Sequence, residues 1–209
     1  MYVRNSMTSN PYTVGPDATI AETLELMREK KVHRVPVLEH GKLVGIITER
    51  RLLEVSPSPA TTLSVFEINY LLAKTKVGTL MTKDVVTVAP GTLLEEAARL
   101  MRDRDVGALP VLEGGKLVGI ITESDLFDAF LEILGFRSRG TRIAVEVEDD
   151  RPGLLADIAR IIADRGVNIL NVATFRSEVI FKVNTLNADD LVAELAAKGL
   201  RILSVLTYE

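Results

Sequence analysis

The feature that most constrains the fold of this sequence is an internal duplication. Residues 3–52 align with residues 77–126 without a gap, at a constant shift of 74 residues, and about half of the aligned positions are identical. The densest match is PVLEHGKLVGIITE (residues 36–49) against PVLEGGKLVGIITE (residues 110–123). Two copies are too few for an extended array of repeats. We therefore expect the two copies to pair and to close one core between them.

Each copy predicts the same order of elements, β-α-β-β-α. A short strand opens the copy, and a helix follows whose apolar residues recur at helical spacing. These apolar positions are Ile20, Leu24 and Met27 in the first copy and Leu94, Ala98 and Met101 in the second. Two apolar strands then flank a turn at residues 40–41 or 114–115, where glycine supplies positive φ. A second helix is expected to start after Thr48 and after Thr122.

A linker separates the two copies. SPSP (residues 56–59) breaks the preceding helix. Residues 63–74 then predict a linker helix, with Ser64 and Glu67 as its capping box. The apolar residues of this helix that are expected to face a neighbouring element are Phe66, Tyr70 and Leu71.

The residues after a charged boundary at RSRG (residues 137–140) follow a different pattern. A strand, a helix, a hairpin, a second helix and a last strand give β-α-β-β-α-β, the ferredoxin-like arrangement. The first of these helices is expected to end at Gly166, with an apolar face of Leu154, Leu155, Ile158, Ile161 and Ile162. The predicted fold class is α/β (α+β). The predicted layout is a domain at residues 1–60, a linker helix at 61–76, a domain at 77–136, a linker at 137–140 and a third domain at 141–209.

Composition limits the partners and the chemistry. The net charge of −4 offers no basic surface for nucleic acid or for an anionic membrane. The sequence has no cysteine and only two histidines, which argues against disulfides and against a zinc site. No stretch reaches the ~18 apolar residues of a membrane span, and the first residues lack the apolar core of a signal peptide. We expect a cytoplasmic protein without a metal or a catalytic cofactor.

The duplicated stretch resembles a paired CBS domain, also called a Bateman module. The resemblance covers residues 3–134. It rests on a repeated Met-Thr pair, on the strands RVPV and ALPV, and on GIITERR (residues 45–51) and GIITESD (residues 119–125). The tail resembles an ACT domain through EDDRPGLLADIARIIADRGVNI (residues 148–169) and through its order of strands. The combination looks like the acetoin-utilisation protein B family.

The CBS resemblance implies that an adenine nucleotide (AMP, ADP or ATP) or S-adenosylmethionine binds between the copies as a regulatory ligand. In the second copy, Thr122 and the helix start would meet a phosphate, and Asp125 would accept hydrogen bonds from the ribose hydroxyls. Thr122 and Asp125 equally fit a capping box, which needs no ligand. The apolar walls for the adenine would come from Val88, Leu109 and Pro110.

The first copy departs from this pattern because Arg51 stands in place of the aspartate. Arginine has no acceptor for a ribose hydroxyl, so ribose recognition at the site with Thr48 is expected to be lost or altered. Arg51 could meet a phosphate together with Arg34, at the entrance of the strand with Val35, or it could be a solvated helix residue. His33 is interpreted as a structural or surface residue. We therefore expect one good nucleotide site per chain.

The ACT resemblance implies an amino-acid effector at an interface between two ACT domains. The matching positions here are Asp150, Gly153, Leu154, Asn168 and Ile169. The alternative interpretation needs no ligand: Asp150 caps the helix, Pro152 starts it and Asn168 serves a turn.

The sequence contains no recognisable catalytic constellation, so we do not expect an enzyme. It has no cysteine nucleophile and no Gly-x-Ser-x-Gly elbow, and its GGK lacks the Ser or Thr that follows in a phosphate-binding loop. The favoured function is a ligand-sensing regulatory homodimer that acts on an unknown protein. The alternatives are a structural dimerisation scaffold with vestigial sites and, in third place, an accessory enzyme of acetoin or acetyl metabolism.

Overall fold

The structure is a computed structural model that describes residues 1–55, 64–147 and 151–209. SPSP and the predicted effector residue Asp150 lie outside these ranges. The chain divides into two compact units, Met1–Leu126 and Phe127–Glu209. Because the division falls inside a helix, the domain boundary expected at residues 137–140 stays a prediction. Within the described ranges, no helix is both long and apolar enough to cross a bilayer.

The first unit contains the two repeats as far as the first turn of their last helix, and one helix joins the repeats. The first repeat consists of β1 (Thr8–Ser9), α1 (Ile20–Lys30), β2 (Arg34–Glu39), β3 (Lys42–Thr48) and α2 (Glu49–Val55). Helix α3 (Val65–Lys74) follows, and the second repeat consists of α4 (Leu94–Arg104), β4 (Ala108–Glu113), β5 (Lys116–Thr122) and α5 (Glu123–Ile133). His40 and Gly41 turn the first hairpin with φ of 50° and 76°, as the sequence predicted. The fold class is confirmed for both repeats.

Two details of the repeats differ from the prediction. The opening strand of each repeat is only a single parallel bridge, from Val14 to Val37 and from Val88 to Val111. In α4, Ala97 is fully buried, whereas the predicted Ala98 is half-buried. Positions three and four residues apart share one face of a helix, so the sequence spacing alone does not decide between these two alanines.

Each repeat completes the sheet of the other. β1 of the first repeat pairs with β5 of the second through Thr8 and Ile120. In the same way, Thr82 of the second repeat bridges Ile46 of β3. The apolar strand with GII is therefore flanked on both sides in each repeat. This exchange explains why the two copies close one unit, as expected from their number.

The exchange depends on two glycines that precede the repeated Ile-Ile-Thr. A Cβ added to Gly119 would lie 2.5 Å from Sδ of Met7. A Cβ added to Gly45 would contact Met81, with 2.8 Å to its Cγ, and would lie 3.1 Å from the backbone oxygen of Thr82. The methionine of each repeat therefore fills the space above the glycine of the other, and a side chain there would force it out.

The second unit contains the C-terminal sheet. Its elements after α5 are β6 (Gly140–Glu146), α6 (Leu154–Asp164), β7 (Ile169–Phe175), β8 (Glu178–Val183), α7 (Asp189–Ala197) and β9 (Arg201–Tyr208). The four strands are antiparallel in the order β7-β8-β6-β9, which confirms the ferredoxin-like prediction. Ile143 and Phe181 of the sheet pack against Ile158 and Ile162 of α6. Gly166 ends α6 with φ of 66°, as predicted.

Two predictions that apolar side chains are covered by a neighbouring element were wrong for the single chain. Ser64 and Glu67 form the expected capping box of α3, but Phe66 and Tyr70 are 88% and 59% exposed. Leu155 was assigned to the apolar face of α6, yet it is 50% exposed. The helical period places these residues at the edge of their stripes, where burial depends on what the neighbouring element covers.

Candidate functional site

Two clefts lie between the repeats, at positions that the duplication makes equivalent. The Asp125 cleft has a volume of about 380 Å³. It is formed by the segment around β1, the entrance of β2 and the junction of β5 with α5. Its lining residues are Thr8, Ser9, Asn10, Pro11, Tyr12, Lys31, Val32, His33, Arg34, Ile120, Thr122, Ser124 and Asp125. Both repeats therefore contribute to this cleft.

Asp125 is at once a cap and a lining residue. Its Oδ2 accepts hydrogen bonds from the backbone N–H and from the hydroxyl of Thr122, each at 2.8 Å. In return, its own N–H donates to Oγ1 of Thr122 at 3.3 Å. None of the described residues donates a hydrogen bond to Oδ1. A carboxylate oxygen has two lone pairs, so Oδ1 is open to a donor in the cleft.

The start of α5 offers less to an anion than the sequence suggested. The first turn of a helix leaves four N–H groups without intrahelical partners. Here, Thr122 donates to Asp125, Glu123 donates to the carbonyl of Gly107 at 3.2 Å, and Asp125 donates to Thr122. Within the described residues, only the N–H of Ser124 is left in this turn. The hydroxyl proton of Thr122 is also already donated.

Two cations also line the Asp125 cleft. Lys31 is the C-cap of α1 with φ of 54°, and Arg34 opens β2; both line the cleft. Arg34 lies across Gly107, with its guanidinium 3.7 Å from the carboxylate of Glu123. That ion pair is long and partly exposed, so it holds Arg34 only weakly. The cleft thus has two cations against one carboxylate, which suits an anionic group.

The Thr48 cleft has the opposite balance. Its volume is about 490 Å³, and its lining residues are His33, Arg34, Ile46, Thr48, Glu49, Arg50, Thr82, Asp84, Val85, Val86, Asp105, Val106, Gly107 and Ala108. The charged ones are two arginines against three carboxylates. Glu49 accepts a hydrogen bond from Nδ1 of His33 at 2.6 Å. Arg51 does not line the cleft; its guanidinium is 3.6 Å from Glu54 on the same helix, as a solvated helix residue would be.

Four predicted site residues lie elsewhere: Val88, Leu109 and Pro110 were expected as apolar walls, and Val35 was expected beside Arg34 at the strand entrance. Val35 and Leu109 are fully buried, Val88 is 7% exposed and Pro110 is buried in β4. None of the four lines either cleft. These residues belong to the core of their repeats, where β4 is buried on both faces. The apolar part of the Asp125 cleft comes from other residues, Pro11, Tyr12, Val32 and Ile120.

Sequence reasoning missed Tyr12, Lys31 and Ser124. Tyr12 follows β1 and is brought to the cleft by pairing with the other repeat, a long-range contact that no local pattern shows. Lys31 could have been found from its place after a helix of eleven residues. A residue there often adopts positive φ and turns the chain toward the next strand.

The four predicted effector residues that the structure describes share none of the described cavities as a group. Gly153 is the N-cap of α6 with φ of 93°, so it is Gly153, and not Pro152, that immediately precedes the helix. Asn168 donates its N–H to the side chain of Asn184 at 2.8 Å, a structural role. Leu154 and Ile169 are partly buried against the core.

Leu154 also lines a cavity of about 340 Å³ between α6 and α7, together with charged residues such as Arg151 and Lys198. The other described candidates, Gly153, Asn168 and Ile169, are absent from its lining. Among residues 1–55, 64–147 and 151–209, no group of three or more histidine or carboxylate side chains could hold a metal ion.

Comparisons with known proteins cover both units. A family model of the CBS domain matches residues 3–58 and 77–132, and a model of the ACT domain matches residues 141–203. The CBS domain-containing protein DDB_G0289609 of Dictyostelium discoideum is 35% identical over 134 residues, which are 63% of this chain and 92% of that protein.

Two solved structures share the fold of the repeats. The structure of CBSX2 in complex with AMP is 35% identical, with a TM-score of 0.52, and the match covers 63% of this chain and 97% of that one. A protein from Vibrio cholerae named for acetoin utilization (AcuB) is 31% identical, with a TM-score of 0.54, over 66% of this chain and 95% of that one.

Proposed function

The chain belongs to the family of paired CBS-domain proteins and carries a C-terminal ACT domain, and on that premise we propose that it binds one adenine nucleotide in the Asp125 cleft. Its CBS and ACT domains are regulatory domains without catalytic activity. The nucleotide is then a regulatory ligand, and the chain is a sensor. The observation that supports this most is the open Oδ1 of Asp125, on a cleft that two cations also line.

The cleft can recognise the three parts of a nucleotide separately. Oδ1 of Asp125 accepts hydrogen bonds from the ribose hydroxyls, and bonds to an ionised group contribute about 1.5–3 kcal/mol each. Lys31 and Arg34 attract the phosphate. Tyr12 and Ile120 give the adenine an apolar surface. A volume of about 380 Å³ lies in the range of small-molecule sites.

The proposal assigns one site per chain because the second cleft has no aspartate at the position of Asp125 and has more carboxylates than cations in its lining. Arg51 has no acceptor for ribose and is turned to Glu54. Three carboxylates in the Thr48 cleft oppose a phosphate. The AMP complex of CBSX2 supports the ligand class, since that protein is 35% identical over the repeats.

Isothermal titration calorimetry of the full chain with AMP, ADP, ATP and S-adenosylmethionine tests the proposal. We expect one ligand per chain and a loss of at least about tenfold in affinity for Asp125→Ala, because bonds to a charged acceptor are removed. Asp128→Ala is the matched control, since Asp128 lies on the same helix and pairs with Arg137 at its surface. Unchanged affinity in Asp125→Ala, or no heat with any ligand, contradicts the proposal.

A second candidate function, a dimerisation scaffold, is favoured by exposed apolar side chains. Leu53 and Val55 of α2 are 55% and 40% exposed, and Phe66 of α3 is 88% exposed. Apolar area of this kind is usually covered by a partner. Sedimentation of the wild type and of Phe66→Ser measures the assembly. If the chain forms a homodimer and calorimetry finds no nucleotide binding, the scaffold is the function. If the chain sediments as a monomer, the scaffold function is contradicted.

An amino-acid effector of the ACT domain is also part of the proposal. It has less support, because the described candidates are used in capping and packing. The binding site for such a ligand would need residues from a second copy of the domain. Calorimetric titration of the twenty amino acids against the full chain tests for this effector. If none of them gives a heat of binding, the effector is contradicted.

The regulated process that we propose is acetoin utilisation. Its support is the likeness to the Vibrio cholerae protein that is named for this process. Deleting the gene for this chain should slow growth on acetoin as the carbon source and leave growth on glucose unchanged. Equal growth on both carbon sources would contradict this assignment.

A further inference from the structure

A third cavity lies on the face of the C-terminal sheet that α6 and α7 leave open. Ile143, Phe181 and Val183 pack against those helices. Strand residues alternate between the two faces, so Arg142 and Lys182 point to the other side. The cavity there has a volume of about 370 Å³, and its lining residues are Leu131, Leu134, Gly135, Phe136, Arg142, Asn171, Ala173, Thr174, Phe175, Ile180, Lys182 and Tyr208. We call it the open-face cavity.

Two cations stand side by side in this cavity. Arg142 of β6 and Lys182 of β8 are directly opposite each other in the antiparallel register. Like charges at such positions destabilise a sheet unless something compensates them. Among the described residues, no carboxylate side chain lines the cavity. The pair therefore produces a concentrated positive charge for which the described residues supply no counter-ion in the cavity lining.

Lys182 is buried, but its ammonium is only partly satisfied. It is 3% exposed, and Nζ donates to the carbonyl of Gly135 at 2.8 Å. Nζ also lies 4.3 Å from the centre of the Tyr208 ring. An ammonium has three donors, so two remain for a ligand. Burial lowers the pKa of Lys182 from its ordinary value, as expected where nothing neutralises the charge.

The rest of the cavity is apolar. Phe136 and Tyr208 meet edge to face with ring centres 5.5 Å apart. Phe136 and Phe175 are 55% and 59% exposed although they border the cavity. A ligand that fits this lining has an anionic head at Lys182 and Arg142 and an apolar tail against the aromatic rings. An amino acid fits poorly, because its ammonium would find no carboxylate in the lining.

We propose that the open-face cavity binds a small carboxylic acid with an apolar tail and no amino group. This site is separate from the predicted effector residues around α6 and does not depend on the nucleotide site. A purely structural role for Lys182 is the competing explanation. The carbonyls at the end of α5 accept from Asn171 and Lys182, and a cation there stabilises a helix end. The two explanations differ in whether the cavity distinguishes an acid from its neutral amide.

The test uses three probes of similar shape on the full chain: 3-phenylpropionate, 3-phenylpropionamide and L-phenylalanine. Saturation-transfer NMR and calorimetry measure their binding. We expect the acid to bind about tenfold or more tightly than the amide and the amino acid. The amide has no negative charge to pair with the cations, and the amino acid adds an ammonium that they repel. Equal binding of acid and amide, or binding of none of the three, overturns the proposal.

Variants then locate the site. Lys182→Met should remove the preference for the acid over the amide, whereas a merely structural lysine would leave it. Ala173→Leu is a second variant that keeps both cations and fills the cavity; it should weaken the acid and the amide alike. Lys42→Met, which removes an exposed cation of β3 in the first unit, is the matched control and should leave acid binding unchanged. Far-UV circular dichroism verifies that each variant is folded.

Discussion

The two clefts of the first unit are equivalent by sequence, and their charges are reversed. Asp125 lines one cleft, and its counterpart beside the other is Arg51; Lys31 lines the first, and its counterpart in the second is Asp105. The backbone is nevertheless the same at the second pair, with φ of 54° for Lys31 and 51° for Asp105. The two copies therefore share the backbone conformation at this position of the cleft and differ in the charged side chains that line it.

The capping geometry explains how this divergence is tolerated. In both repeats, the N–H three residues after the threonine donates to the threonine hydroxyl, at 3.2 Å from Arg51 to Thr48 and at 3.3 Å from Asp125 to Thr122. That half of the cap needs only a backbone group, so any side chain can follow. The carboxylate adds the other half and the open oxygen. The helix start therefore does not require Asp125, and its oxygen is available for recognition.

Exchanging the two residues should give the largest effect. Asp125→Arg is expected to lower the affinity for AMP by about 100-fold, because hydrogen bonds from two ribose hydroxyls to a charged acceptor are lost. Arg51→Asp is not expected to create a second site of similar strength, since Glu49, Asp84 and Asp105 still oppose the phosphate. Calorimetry of both variants gives affinity and stoichiometry. If Asp125→Arg binds AMP with the affinity of the wild type, the residue at this position does not determine which cleft binds the nucleotide.

A second exchange, Lys31→Asp, should separate phosphate recognition from ribose recognition. The affinity for AMP should fall by about 10- to 100-fold, because a charge-assisted contact becomes a repulsion. Adenosine, which has no phosphate, should change less than about threefold by the same reasoning. Asp105 shows that aspartate tolerates this backbone conformation. Asp105→Lys is the control and should leave AMP binding in the Asp125 cleft unchanged.

Raising the ionic strength sharpens the comparison of the two probes. Salt screens the attraction between Lys31 and the phosphate, so AMP should lose affinity in the wild type and adenosine should not. An equal response of the two probes would mean that Lys31 does not meet the phosphate.

The sequence predicted the elements of this chain well because their signals are local. The glycine turns, the capping box at Ser64 and Glu67, and the end of α6 at Gly166 each depend on a few adjacent residues. The exchange of β1 between the repeats depends on pairing over more than a hundred residues, which no local pattern contains. Tyr12 was missed for that reason, and Val35 and Leu109 were assigned to the cleft instead of the core.

The open-face cavity was missed for a related reason. Arg142 and Lys182 are forty residues apart in the sequence, and only the register of β6 with β8 brings them together. Each cation by itself is typical of an exposed strand position. The sequence order β-α-β-β-α-β predicted which strands are neighbours, but not which residues of those strands are opposite.

The next largest effect, on stability, is expected at the two glycines that contact the methionine of the other repeat. Gly45→Ala is expected to lower the free energy of unfolding by about 1–3 kcal/mol, because its Cβ meets Met81 and also the backbone of Thr82. Gly119→Ala should cost less, since its nearest neighbours are only side-chain atoms of Met7, which can move. Urea unfolding followed by circular dichroism measures both. Equal losses would mean that the backbone contact at Gly45 is unimportant.

The smallest effect is expected at the helix starts, where the repeats differ in their caps. Thr19 caps α1: its Oγ1 accepts from the N–H of Glu22 at 3.2 Å, and the carboxylate of Glu22 accepts from the N–H of Thr19 at 2.8 Å. The corresponding Leu93 of α4 makes no side-chain cap, although Glu96 stands three residues on. Thr19→Ala should therefore lower the free energy of unfolding by about 1 kcal/mol, and Leu93→Thr should raise it by a similar or smaller amount.

The pH dependence distinguishes this capping box from a simple change in helix propensity. Hydrogen bonds from the backbone and the hydroxyl of Thr19 hold the pKa of Glu22 below its ordinary value. The ionised carboxylate is thus favoured in the folded chain, so its contribution is complete above the ordinary pKa and is lost as the pH falls through the lower folded pKa. The loss in Thr19→Ala should be larger at pH 7 than at pH 3, in unfolding experiments at both values. A loss independent of pH would show that the hydrogen bond from the hydroxyl of Thr19 to the carboxylate of Glu22 does not contribute to the cap.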